Sequence, residues 1–300
     1  MRKGQITIGL FDSGVGGLSV LRQLESHVNS FPEVSNYRIL YLGDTARLPY
    51  GNRSAAEIKN FVEEIISWLT AKGADSIVMA CNTSAALAGT FAQSFSTVPV
   101  YDLIGPTAEH LAKFVQSDKQ TKQKIGVLAT HSTVKSQAFS KTIKEFSSDL
   151  EVVEIACPEL VQLVESGDFN SETTTKTLAK YTSQLEKAGV DAVVLGCTHY
   201  PFLAGAISAL LPAHVQLVDP AAIMVRSLAK NQTLDIEDEP IVTRELYCTG
   251  PIADFAASAQ ICLGQSPGTV YGITVQDLQA YKGTNFAPAN KVADRSGAIS

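Results

Sequence analysis

Gly73-Ala74-Asp75-Ser76-Ile77-Val78-Met79-Ala80-Cys81 and Gly189-Val190-Asp191-Ala192-Val193-Val194-Leu195-Gly196-Cys197 are two versions of one stretch, 116 residues apart. Each opens on Gly, carries Asp two places later, runs through a short apolar segment and ends on Cys. An unbroken apolar run of this length, bounded by turn residues, is the pattern of a strand buried on both faces of a parallel sheet. The offset recurs elsewhere. Ile8-Gly9-Leu10 answers to Ile125-Gly126-Val127 at 117 residues, and Gly51 to Gly167 at 116. Any two parallel strands would give one such match; three in register predict two structurally related halves.

Working outward, similar apolar runs lie at 6–11, 37–42, 98–102, 124–129, 151–156 and 215–219. Amphipathic segments separate them. Over 54–72, Ile58, Phe61, Val62, Ile65, Ile66 and Leu69 repeat at helical spacing, Ser54 and Glu57 form a capping box, and Gly73 ends the helix. Leu178, Tyr181 and Leu185 share one face of another helix. Alternation of this kind predicts parallel sheets joined by crossover helices. The expected fold is α/β: two pseudo-symmetric domains, each a mainly parallel sheet flanked by helices, with the active site in the interdomain cleft. The first domain takes 1–98 plus 215–284 and the second takes 99–214. Residues 231–240 read as a polar connection, 245–248 and 270–273 as late strands, and 285–300 as a loose tail.

The bulk properties narrow the function. At 300 residues, 45% apolar and 18% charged, the chain can bury a sizeable core. Its net charge of −6 and lack of a Lys/Arg run exclude a nucleic-acid backbone as partner. No apolar stretch reaches transmembrane length and the first residues do not form a signal peptide, so a cytoplasmic protein without membrane contact is expected. Five cysteines with no CxxC pair build neither a disulfide framework, nor a structural zinc site, nor a dithiol redox motif. Cys248 and Cys262 read as small buried hydrophobes.

In parallel sheets, ligands bind beyond the carboxyl ends of the strands. Here those ends are chemically capable: Asp12-Ser13-Gly14, Cys81-Asn82-Thr83, Thr130, Cys157-Pro158 and Cys197-Thr198-His199. Taken singly, each has an ordinary explanation. Ser13, Thr83 and Ser84 cap helices, Asp12 and Glu165 are solvated carboxylates, His199 is structural, and Leu48-Pro49-Tyr50-Gly51 is a turn. Jointly they place reactive side chains at strand ends in both halves. Two Cys at equivalent positions of related halves would face one cleft from opposite sides. Inverting an α-carbon needs that arrangement, because one group removes the proton and another returns one to the opposite face. One sulfur must then be a thiolate while its partner is a thiol. Asp12 is the candidate proton relay near Cys81, and His199 near Cys197.

Several of these stretches together resemble a known family. Leu10-Phe11-Asp12-Ser13-Gly14-Val15-Gly16-Gly17-Leu18-Ser19, Pro49-Tyr50-Gly51, Ala80-Cys81-Asn82-Thr83 and Gly196-Cys197-Thr198-His199-Tyr200-Pro201 are similar to the glutamate racemases of the aspartate/glutamate racemase family. The similarity runs from about residue 6 to about 230, and more weakly to about 275. The resemblance implies two α/β domains, a glutamate substrate, no cofactor and no metal, a homodimer, and D-glutamate supplied for peptidoglycan. It implies that Cys81 and Cys197 exchange the proton, with Asp12, His199 and Glu165 assisting. Asp12, Ser13, Pro49, Tyr50, Gly51, Asn82, Thr83, Thr130, Thr133, Thr198 and His199 would contact substrate. Glu159 and Gln162 depart from the family pattern, which usually has apolar residues there, and this bears on the neighbourhood of Glu165.

Rival readings separate on particular residues. An aspartate racemase would carry an acidic residue where His199 stands, and a single-sulfur decarboxylase would not need both cysteines. A regulatory module acting on DNA has no basic surface to use.

Overall fold

The computed structural model describes residues 5–27, 36–115, 123–229 and 241–283. The first half runs β1 (Ile6–Asp12), α1 (Leu18–His27), β2 (Asn36–Gly43), α2 (Ala55–Ala71), β3 (Ser76–Met79), α3 (Asn82–Phe95), β4 (Val100–Tyr101) and α4 (Ile104–Val115). The second runs β5 (Lys124–Ala129), α5 (His131–Ser136), α6 (Ala138–Phe146), β6 (Glu151–Ala156), α7 (Glu159–Glu165), α8 (Glu172–Ala188), β7 (Ala192–Gly196), α9 (Ala204–Leu210), β8 (Gln216–Val218) and α10 (Pro220–Ala229). The chain closes with β9 (Ile241–Cys248), α11 (Ile252–Leu263), β10 (Val270–Gly272) and α12 (Val275–Gln279).

Every strand pair is parallel. One sheet has the order β10-β9-β2-β1-β3-β4 and the other β6-β5-β7-β8. With β9 and β10 set aside, both halves follow the same order: second strand, first, third, fourth. The repeat extends to individual bonds. Thr7 N–H donates to Asp75 Oδ2 at 2.9 Å, and Lys124 N–H to Asp191 Oδ2 at 2.8 Å. Ser54 caps α2 through a full capping box with Glu57, and Ser171 caps α8 by accepting from Thr174 N–H. Gly9 and Gly126 are points of close approach between these two helices and their sheets. A Cβ would lie 3.1 Å from Leu69 Cδ1 at Gly9, and 2.5 Å from Leu185 Cδ2 at Gly126. The Gly51–Gly167 match does not extend to conformation: Gly167 is left-handed at φ 73° and Gly51 is not.

Both faces of the larger sheet are covered, as continuous apolar strands require. On one side Leu10, Ile39 and Val78 pack with Leu18, Leu21 and Leu24 of α1. On the other, Phe11, Leu40 and Ile77 pack with Ile58, Ile65 and Trp68 of α2.

The expected strands at 98–102 and 215–219 shorten at both ends. Asp102 and Asp219 leave their strands and turn back to accept from the first backbone N–H groups of α4 and α10. The expected cuts after 98 and 214 fall just ahead of β4 and β8; by sheet membership β4 stays with the first sheet and β8 with the second. The late strand at 245–248 is longer, starting at Ile241 and pairing with all of β2. The connection at 231–240 and the tail at 285–300 lie outside the described residues.

The packing of the halves is reciprocal. Helix α10, which ends the second half, packs on α1 of the first; α4, which ends the first, packs on α6 of the second; and α4 and α10 meet. This is the contact pattern of a two-fold axis between related units. It brings the carboxyl ends of β1, β3, β5 and β7 to one cleft.

Candidate active site

The cleft encloses a cavity of about 210 Å³. Of the residues expected there, Ser13, Pro49, Tyr50, Gly51, Cys81, Asn82, Thr83, Thr130, Glu165, Cys197, Thr198 and His199 line it. Asp12 and Thr133 do not; both are fully buried behind it. Cys157 is also buried and turned away, its thiol aimed at the Ile155 carbonyl, while the adjacent Pro158 reaches the wall.

Cys197 ends β7, and the chain then enters a tight turn that brings His199 back beside it. His199 Nδ1 lies 3.7 Å from Cys197 Sγ, and Nε2 lies 2.6 Å from Glu165 Oε1. Burial by itself would depress this imidazole, but the sulfur and the carboxylate outweigh it and hold His199 well above its ordinary value. Sulfur, imidazole and carboxylate thus form a connected line. The glycine-rich turn of 14–17 packs directly on this line. A Cβ at Gly16 would lie 2.3 Å from His199 Nδ1 and 2.7 Å from Thr198 Oγ1. That turn therefore reads as a seat for the relay.

Cys81 is the N-cap residue of α3, at the positive end of a helix 14 residues long. Its surroundings differ from those of Cys197. Burial first, then the charge of Asp12, push the thiol up to about 12, against a smaller pull from the Ser84 N–H and hydroxyl. Asp12 influences Cys81 through space. Its hydrogen bonds go elsewhere, to Gly14 N–H at 3.0 Å and to the Thr198 hydroxyl at 3.2 Å. Burial raises Asp12 as well, with His199 and two backbone N–H groups working the other way.

Polar side chains complete the wall. Thr83, Thr130 and Thr133 form a triangle of hydroxyls, with Thr83–Thr130 and Thr130–Thr133 both at 2.9 Å. The triangle joins α3 to the start of α5 and so bridges the halves. Asn82 is buried, yet neither its amide nitrogen nor its amide oxygen has a hydrogen-bond partner within the protein. A buried primary amide left without partners is costly, and here it faces a cavity.

Leu48, Asn52, His131, Val161 and Gln162 also line the cavity, and none of them is among the substrate contacts expected from the sequence. For α7 a signal existed. Pro158, Val161, Gln162 and Glu165 follow helical spacing on one face. Glu159 points outward instead, where Lys180 at 2.8 Å and the Tyr181 hydroxyl pull it down to about 2. The two departures from the family pattern therefore differ: Gln162 belongs to the cleft wall and Glu159 to the outer face.

Fold and cleft define the class: a two-lobed α/β enzyme with one buried thiol from each lobe at a shared cavity. The chain belongs to the Asp/Glu/Hydantoin racemase family, whose model matches residues 8–228. Within that family it stands among the glutamate racemases, and so among the isomerases. The glutamate racemase of Gloeobacter violaceus is 42% identical over 262 residues, covering 87% of this chain and 94% of its own. Glutamate racemase isoform RacE1 of Bacillus anthracis superposes with a TM-score of 0.77 at 31% identity, over 90% of this chain and 97% of that one. The glutamate racemase of Francisella tularensis, solved in complex with D-glutamate, gives 0.76 at 29% identity, over 92% and 99%. Among the described residues no helix is long and apolar enough to cross a membrane.

Proposed function

We propose that the protein interconverts L- and D-glutamate by proton transfer between Cys81 and Cys197, without a cofactor. One observation carries the reading: the two thiols end equivalent strands of a repeated unit and line the same cavity from different lobes. In one direction the Cys81 thiolate takes the α-proton of D-glutamate, and the Cys197 thiol gives its proton to the opposite face. The product is L-glutamate, with Cys81 now protonated and Cys197 a thiolate, which is the state ready for the reverse reaction.

Burial and the Asp12 carboxylate favour the thiol form of Cys81. Substrate changes this, because its ammonium group brings positive charge beside the sulfur and favours the thiolate. The unpartnered Asn82 amide, the threonine hydroxyls and the first N–H groups of α3 are placed to hold carboxylates and to stabilise negative charge growing toward the α-carboxylate. Glu165 and His199 serve Cys197 as a proton line. Asp12 acts on Cys81 by charge and on the cleft through Thr198. The scheme needs no electron sink.

Family likeness also supports a cytoplasmic homodimer that supplies D-glutamate for peptidoglycan, with the lobes dividing just after β4 and just after β8 rather than ahead of them. Polarimetry of dialysed protein with each enantiomer of glutamate and aspartate tests the reaction. Racemisation of glutamate at full rate is expected. Preference for aspartate would favour the aspartate reading, and activity only on adding pyridoxal phosphate or a divalent metal would contradict the two-thiol scheme.

A further inference from the structure

The wall formed by residues 48–52 presents Tyr50 and Gly51 to the cavity, yet its only regular structure is a short 3-10 turn at Tyr50–Asn52. What holds it is a charge cluster behind it. Asp44 is fully buried just beyond β2 and accepts from Arg47 Nε at 2.6 Å, from the Tyr50 hydroxyl and from Thr249 Oγ1 at 2.9 Å. The Arg47 guanidinium donates onward to Glu64 of α2 and lies 4.1 Å from the centre of the Phe61 ring. That ring packs on Tyr50 with centroids 5.5 Å apart. At its other end the wall meets the second lobe, where Ser132 Oγ donates to the Gly51 carbonyl at 2.6 Å. Asp44, Arg47, Glu64 and Thr249 do not line the cavity.

Burying three charges is expensive, and a well-packed apolar cluster would hold the same loop at lower cost. A planar Arg fork fixed by carboxylates at both ends gives direction instead, because each bond constrains the angle of the next. We propose that the Asp44–Arg47–Glu64 cluster is a positioning device for glutamate: it fixes Tyr50 and Gly51 against the second lobe, so that substrate meets a preformed wall. Arg47, Asp44 and Glu64 are thus positioning residues that act through Tyr50 and Gly51. The proposal rests on the racemase reading. Its signature is a loss of binding with the chemical step preserved, since the cluster orders the wall before substrate arrives.

Glu64→Gln keeps the shape and removes the charge that anchors the far end of Arg47. Thr249→Val removes one donor to Asp44 from the opposite side. In variants shown by circular dichroism to be folded, KM for both enantiomers should rise on the order of ten-fold, as expected for losing one charge-assisted hydrogen bond, while kcat changes little. Adding Tyr50→Phe to Glu64→Gln should raise KM no further, since both changes act on one unit. A folded Glu64→Gln with unchanged KM overturns the proposal, as does a fall in kcat at constant KM. If Glu64→Gln does not fold, Thr249→Val decides by the same readings. Calorimetry of glutamate with the unaltered protein separates the two levels. No binding there would refute the racemase reading itself, whereas normal binding with unaffected variants would refute only the positioning role.

Discussion

Cys81 and Cys197 are the same side chain in different settings, and the difference is the chemistry. Cys197 has an imidazole 3.7 Å away that is itself bound to Glu165, whereas Cys81 has burial, a nearby carboxylate and a helix N-terminus. His199 keeps its proton to higher pH in the folded chain than in the unfolded one. Its contribution to stability is therefore complete below the unfolded value of 6.5 and is lost as the pH rises through the folded value. Glu165→Gln removes one of the two partners that raise it. The His199 titration midpoint, followed by its imidazole resonance, should fall in that variant. The variant should also be destabilised more at about pH 6 than at alkaline pH, where the unaltered protein has lost the same contribution. An unchanged midpoint would disconnect His199 from Glu165. A second residue-scale test uses glycine. Gly16→Ala drives a methyl group into His199 and Thr198 and should cost roughly 100-fold in kcat through misplacement of the relay. Gly89→Ala, inside α3 with nothing but its chain neighbours and its own helix backbone within 4 Å of the new Cβ, should leave kcat alone and add about 0.5–1 kcal/mol of stability. Equal activity in both variants would mean that the close approach at Gly16 is not needed. At this scale the sequence made the strand-end residues legible, because position on a parallel sheet assigns them to the cleft. The Asp44–Arg47–Glu64 cluster was not legible. Arg47 is bonded over 3 and 17 residues and Asp44 to Thr249 over 205, and no local pattern marks such partners.

At the scale of elements, local chemistry fixes the boundaries more firmly than apolar content does. The helix over 54–72 was readable because Ser54 and Glu57 cap each other and Gly73 follows at φ 87°. Its counterpart α8 has Ser171 and Thr174 but no reciprocal acid, so its start carried a weaker signal for the same geometry. Ser54→Ala and Ser171→Ala should each cost about 1 kcal/mol in chemical denaturation and leave kcat unaffected, because neither side chain lines the cleft. No loss at Ser171 would show that the Thr174 N–H finds another acceptor. The strands at 98–102 and 215–219 were read too long because an Asp after an apolar run has two uses. Here Asp102 and Asp219 stop the strand and start the helix. The expected strand at 245–248 is too short because the first half of β9, Ile241-Val242-Thr243-Arg244, turns polar after two apolar residues. Such a pattern is recognised as a strand only once β2 lies beside it and Arg38 meets Glu245 at 2.6 Å.

For the whole molecule, the repeat seen in the sequence and the site at the cleft are one fact. Two copies of a strand order, packed reciprocally through α1, α4, α6 and α10, carry equivalent strand ends to opposite sides of one cavity. This was legible because an offset of 116–117 residues survives in the Gly-x-Asp starts, the apolar runs and the terminal Cys. The added strands β9 and β10 were only partly legible, since nothing in the first half repeats them. In the proposed mechanism the two sulfurs are separate bases serving opposite enantiomers. Racemisation rates alone test it poorly. Mirror-image amino acids have equal free energy in water, so kcat/KM must be the same in both directions for any variant, however asymmetric its site. An irreversible elimination escapes that constraint. Loss of a leaving group from Cβ of a substituted glutamate needs one base and no returning proton. The direct measurement is the elimination rate from each enantiomer of such an analogue in Cys81→Ser and in Cys197→Ser. A serine hydroxyl is too weak an acid to supply a base at neutral pH. Neither variant should racemise glutamate, Cys81→Ser should still eliminate from the L-analogue, and Cys197→Ser should still eliminate from the D-analogue. Loss of both eliminations in both folded variants, or normal racemisation by either one, would contradict this mechanism.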